Sequence, residues 1–175
     1  MIDLHYGRQA FDFDCGATAL QTVMAYYGVE VRLDVLMEAL GTDEEGTDVR
    51  SIIRTAQGYG FEVQGRSGWT LKELKGKIDD GIPVIVLLQA WSERPKTVLE
   101  WEKDYDDGHY AIVIGHAKGV LLFEDPGSFR RTWLKEREFL ARWHDRDSRT
   151  GEVFEHYGIM LLGKDPVLRT PQYMG

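Results

Sequence analysis

Cys15 is the only cysteine among the 175 residues, and it stands in Asp14-Cys15-Gly16 at the head of a segment with apolar residues at helical spacing. A thiol in that position meets the first-turn amides and the positive end of the helix dipole. Both stabilise a thiolate and lower a thiol's pKa. Gly16 is expected to leave backbone room for a substrate. The segment therefore has what a thiol nucleophile requires, although a solitary cysteine also suits a small buried hydrophobe.

A nucleophile needs a base, and the histidines are His5, His109, His116, His144 and His156. His109 opens an apolar strand directly after Asp107-Gly108, which places it at the rim of a sheet. If the next turn is centred near Ala117–Lys118, antiparallel pairing sets His109 opposite Asp125 or Pro126, with Cβ atoms roughly 5 Å apart. Asp125 can then hold one ring nitrogen while the other faces the thiol. These are the nucleophile, base and orienting group of a cysteine hydrolase.

Acyl transfer also needs donors for the developing oxyanion. The Cys15 backbone amide is one candidate and the side-chain amide of Gln9 is the second. Gly16, Asp107 and Gly108 are expected to border the substrate. Trp101, Asp104, Tyr105, Asp106 and Asp107 lie beside His109 in sequence. Their acids are expected to raise its pKa and to attract a basic substrate segment, the alternative being a solvated acidic loop.

Five helical patterns and five strands position these groups. Helices are expected over about Cys15–Tyr27, with Asp14 as N-cap and Gly28 as terminator; Leu33–Leu40, stopped by Gly41; and from Thr47 or Asp48 to Gly58. A fourth starts at the Thr70 cap and ends at Gly81, and a fifth covers Trp133–Trp143, with His144 a capping or surface residue. Strands are expected at Phe61–Gln64, Pro83–Leu88, His109–Gly115, Val120–Glu124 and His156–Leu162. The Pro83–Leu88 run is apolar throughout, as a strand buried on both faces would be. Residues 92–108 form a long polar insertion. Helices first and strands after make an α+β domain of N-terminal helices on an antiparallel sheet, read as one unit over 1–175.

Composition excludes several functions. The chain is 43% hydrophobic with a net charge of −8, which disfavours nucleic acid and anionic membranes as partners. The apolar run Ile82–Leu88 is too short to cross a bilayer, and the N-terminus lacks a signal-peptide pattern, so a cytoplasmic location is expected. One cysteine permits no internal disulfide and no cysteine zinc cage. No metal or cofactor motif is present, and no i, i+4 histidine pair.

Gln9-x5-Cys15 within Gln-Ala-Phe-Asp-Phe-Asp-Cys-Gly-Ala-Thr-Ala-Leu-Gln-Thr-Val-Met-Ala-Tyr-Tyr-Gly resembles the N-terminal motif of the double-glycine (bacteriocin-leader) peptidases, the papain-like cysteine peptidase family 39. Gly108-His109-Tyr-Ala-Ile-Val-Ile-Gly and Glu124-Asp125-Pro126 resemble its His and Asp-Pro motifs in the same order, and Gly81-Ile-Pro83-Val-Ile-Val fits the preceding strand. The similarity covers roughly residues 6–162. It implies a papain-like fold, Cys15 as nucleophile, His109 as base, Asp125 as orienting residue and Gln9 as oxyanion donor. The implied activity is cleavage of a peptide or protein substrate, such as a leader peptide. Members of that family are usually fused to a membrane transporter and no such segment is read here, so a stand-alone domain is expected, with a precursor peptide or transporter as partner in trans. An acyltransferase or transpeptidase on the same triad, and a silent peptide-binding module, remain alternatives.

Overall fold

The computed structural model describes residues 1–4 and 7–167, so His5 lies outside the described residues. The chain begins with three helices, α1 (Cys15–Tyr26), α2 (Leu33–Leu40) and α3 (Val49–Gly58), followed by strand β1 (Glu62–Arg66) and helix α4 (Leu71–Asp79). Three of these boundaries have a clear local cause. Asp48 caps α3 by accepting the Ser51 amide, Thr70 and Glu73 form a reciprocal capping box on α4, and Gly41 ends α2 in the left-handed region at φ 65°.

The second half carries β2 (Val84–Gln89), the one-turn helix α5 (Val98–Trp101), β3 (Gly108–Ala117) and β4 (Val120–Glu124). It continues with β5 (Thr132–Lys135), α6 (Glu136–Arg142), β6 (His144–Arg146), β7 (Val153–Glu155) and β8 (Gly158–Leu162). Six strands form one antiparallel sheet in the order β1-β8-β2-β3-β4-β5, and β6 and β7 form a separate hairpin. Every residue of β2 is buried, as its continuous apolar run requires. α1 and α4 pack on β3, while α6 packs on β2, β4 and β5. Leu20, Val23 and Met24 of α1 are fully buried in the core they share with Ile85, Ile112 and Ile114.

Several expectations change. Residues 132–135 are a strand rather than the start of a helix, so the helix expected over Trp133–Trp143 shortens to Glu136–Arg142. The insertion contains α5, whose Thr97–Glu100 capping box fixes its start. His144 is no surface cap: it is buried on β6 with its Nε2 2.7 Å from the Asp104 carbonyl. The β3–β4 turn consists of Lys118 and Gly119, both left-handed. A bulge at Ile114 then shifts the register, so that Ile112 faces Glu124.

Gln89 joins the insertion to the sheet. Its side chain is fully buried; Nε2 donates to the His144 carbonyl (3.1 Å) and to Asp145 Oδ1 (2.9 Å), and Oε1 accepts the Asp107 amide (2.9 Å). It thereby ties Asp107, the residue before Gly108, to His144 and Asp145 of β6. Gln89→Leu leaves those buried groups unpaired and is expected to lower stability by about 3 kcal/mol, read by urea denaturation.

Candidate active site

Cys15 is the first residue of α1, and no side chain caps that helix. The Asp14 carboxylate, expected to cap, instead turns back and accepts the amides of Ala10 (2.9 Å) and Phe11 (3.3 Å). It thus pins the loop that leads into the nucleophile position and leaves the positive end of α1 directed at the sulfur. The space above Gly16 is filled by the chain itself. A Cβ there would lie 2.9 Å from the Thr47 Cβ and 3.0 Å from the Tyr110 ring, so Gly16 serves close packing of α1 on β3. Tyr110 closes the same contact by donating its hydroxyl to the Thr47 carbonyl at 2.8 Å.

His109 is 7% exposed at the start of β3. Its Nε2 lies 2.7 Å from Asp125 Oδ1, and Cys15 lines the same cleft as the ring. Burial by itself would lower the imidazole's pKa. The hydrogen bond to Asp125, then the hydrogen bond and charge of Cys15, outweigh burial and raise it to about 10. The Asp125 carboxyl responds in the opposite sense. Burial works to raise its pKa, but the bond to His109, reinforced by the Gly127 amide and the Trp91 indole, holds it below the usual carboxylate value. The dyad therefore favours an imidazolium beside a carboxylate.

Cys15 and His109 line one cleft of about 340 Å³, together with Asp12, Phe13, Tyr105 and Gly108. Of the groups expected to border substrate, Gly108 lies in this cleft. A Cβ on Gly108 would come within 2.7 Å of the Asp145 carboxylate, so only glycine fits there. Asp145 is a cleft residue that sequence spacing did not single out, and burial raises its pKa. Asp107 lies elsewhere: its carboxylate and that of Asp104 are both paired with Lys96. These acids share the one charge of Lys96 within the insertion, and the raised pKa of His109 comes from Asp125 and Cys15 instead.

Gln9 sits in a separate pocket beside Pro126 and Phe129. Its backbone amide donates to the Pro126 carbonyl (3.1 Å), which ties the loop to the residue after Asp125. Its side-chain Nε2 donates to the Phe11 carbonyl at 2.9 Å, and its Oε1 is buried without a partner. Of the four groups expected to act together, the structure bonds His109 to Asp125, sets Cys15 on the same cleft as His109 and aims the Gln9 amide at Phe11. Among the described residues no cluster of three or more His, Cys, Asp or Glu could hold a metal ion.

A thiol at a helix start, an imidazole at a strand start and a carboxylate at the end of the neighbouring strand define a papain-like cysteine peptidase architecture. The peptidase C39 family model matches residues 3–146, and the chain belongs to that family. It is 28% identical over 141 residues to the lactococcin transport/processing ATP-binding protein LcnC-like of Lactococcus lactis subsp. lactis, covering 79% of this chain. The chain spans 18% of that relative's length. It is also similar to the crystallised peptidase domain of Streptococcus ComA, a bi-functional ABC transporter of a quorum-sensing pathway. That likeness has 26% identity and a TM-score of 0.65 over 90% of this chain and 98% of that one. A double glycine motif protease from an AMS/PCAT transporter, solved in complex with the leader peptide, shares the fold at 18% identity and a TM-score of 0.62, over 91% of both chains. No helix among the described residues is long and apolar enough to cross a membrane.

Proposed function

We propose that this chain cleaves peptide bonds through Cys15, His109 and Asp125. The observation that carries the reading is a buried imidazole held by a buried carboxylate, on the same cleft as the sole thiol, which helps to raise its pKa. In this scheme the Cys15 thiolate attacks the scissile carbonyl, and the tetrahedral oxyanion rests on the Cys15 amide and the Gln9 side chain. The Gln9 amide swings from Phe11 to do so, a movement favoured by its partnerless Oε1. His109 protonates the leaving amine, and water, deprotonated by His109, releases the acyl group from sulfur.

The substrate proposed is a precursor peptide with a double-glycine leader. Support comes from the family's motifs around Cys15, His109 and Asp125, and from relatives named for transport and processing. Residues 1–175 are read as one peptidase unit that works in the cytoplasm, on a peptide delivered alone or by a transporter in trans. A synthetic peptide with a central Gly-Gly, incubated with the protein and followed by mass spectrometry, is expected to be cut after the second glycine. A peptide with Leu-Leu in its place is expected to stay intact. Equal cutting of both, or cutting of neither, overturns the substrate assignment. An amine adduct formed in preference to the acid when glycinamide is added would mark acyl transfer instead of hydrolysis.

A further inference from the structure

Trp91 lies between β2 and the insertion, outside the motifs that carry the family resemblance, and two features of it are unusual. Its backbone is left-handed at φ 63°, a conformation bulky L-residues rarely adopt. Its side chain is 59% exposed, so burial of the ring does not account for the conformation. What the conformation achieves is placement. The indole Nε1 donates to Asp125 Oδ2 at 3.2 Å. At Gly127, a position free of any Cβ, Trp91 Nε1, Asp125 Oδ1 and the His109 Cε1 all converge within 3.2–3.4 Å of where a methyl would stand.

We propose that Trp91 is a positioning residue, which holds the outer oxygen of Asp125 and roofs the His109–Asp125 pair so that the imidazole stays aimed at Cys15. The inference rests on the triad reading above. Asp125 has two oxygens to place. Oδ1 is taken by His109 (2.7 Å) and the Gly127 amide (2.9 Å), which leaves Oδ2 to Trp91 and the Thr132 hydroxyl (3.3 Å). Of those two, Trp91 gives the shorter bond, and together with His109 it lines a second, largely apolar cavity of about 220 Å³. Strain kept at an exposed residue is the pattern expected where local conformation serves a site rather than the core.

Cys15 is the sole cysteine, so alkylation by iodoacetamide reports on this one sulfur. At about pH 6 an ordinary thiol is protonated and reacts slowly, and fast alkylation there reads a thiolate held by the imidazolium. Trp91→Phe keeps a ring but removes the N–H, and Trp91→Gly also relieves the left-handed backbone. Both are expected to alkylate about fivefold more slowly than wild type, the effect of losing one hydrogen bond to a charged group. Both are also expected to lose the far-downfield proton resonance of an imidazole N–H shared with a carboxylate. Tm of Trp91→Gly is expected to hold or rise as strain is released. Alkylation within twofold of wild type in both variants, with the resonance intact, overturns the proposal. So does a fall in Tm of Trp91→Gly with Trp91→Phe unchanged, since that is the mark of a merely structural residue. His109→Ala separates the two levels: if it too alkylates like wild type, the triad reading fails, whereas if it slows and the Trp91 variants do not, only the role of Trp91 fails.

Discussion

Replacing His109 by alanine is expected to lower kcat/KM by about a thousandfold while leaving the fold intact. The activity loss follows from the two jobs the ring performs, taking the thiol's proton and returning it to the leaving amine, each a general acid–base contribution of about 10²–10⁴. Survival of the fold is a separate point, because deleting one partner of a buried ion pair can be strongly destabilising. Asp125 is 4% exposed, yet it keeps the Gly127 amide, the Trp91 indole and the Thr132 hydroxyl when the imidazole is gone. Three remaining donors prevent an orphaned charge. Steady-state kinetics on the double-glycine peptide, together with a thermal melt, check both halves. Activity within tenfold of wild type would remove His109 from the reaction, and loss of the cooperative melt would show that the ring is chiefly structural.

Helices α1 to α4 and the central strands were readable because their signals are local. Thr70 with Glu73, Asp48 before α3 and Gly41 after α2 are caps that act within one turn. The apolar run that became β2 could scarcely be anything but a strand buried on both faces. The proximity of His109 and Asp125 was also readable, because a hairpin converts sequence distance into spatial distance. It survived the bulge at Ile114 since the two side chains need only meet, not pair in register. Legibility failed where long-range contacts decide. Trp133 to Lys135 pair with β4 because that edge is open, although the same residues suit a helix by period. His144 is buried because the Tyr105 ring and the Asp104 carbonyl come to it from 40 residues away. The α5 capping box, by contrast, was visible in Thr97-x-x-Glu100 and was obscured only by the polarity around it. Nothing in local sequence says that Lys96 pairs with both Asp104 and Asp107, or that Trp91 reaches Asp125, because each depends on the folded path of the insertion.

Asp125→Asn is expected to move the alkaline limb of the pH–rate profile down by about one to two pH units, the usual influence of one adjacent opposite charge. In the native site the imidazolium persists up to about 10, because Asp125 and the sulfur together outweigh burial. Activity that needs the charged ring is present below that limit and lost as pH rises through it. The limit belongs to the coupled Cys15–His109 pair rather than to one residue. An asparagine oxygen can still accept the His109 Nε2–H and the Gly127 amide at the Oδ1 position, so the ring stays oriented. Its amide nitrogen, however, brings no charge and meets the Trp91 N–H donor to donor, which loosens the roof. The expected signature is therefore a loss of about tenfold at neutral pH that deepens as the medium becomes alkaline. Asp125→Ala behaves differently. With no acceptor left, the ring loses its orientation as well as its counter-charge, and the loss is expected to be larger and present on the acid side of the profile too. Parallel pH–rate profiles of the two variants and the wild type separate charge from orientation. An Asp125→Asn profile with the wild-type alkaline limb would mean that the raised pKa of His109 originates elsewhere and that the carboxylate is only a hinge for the ring.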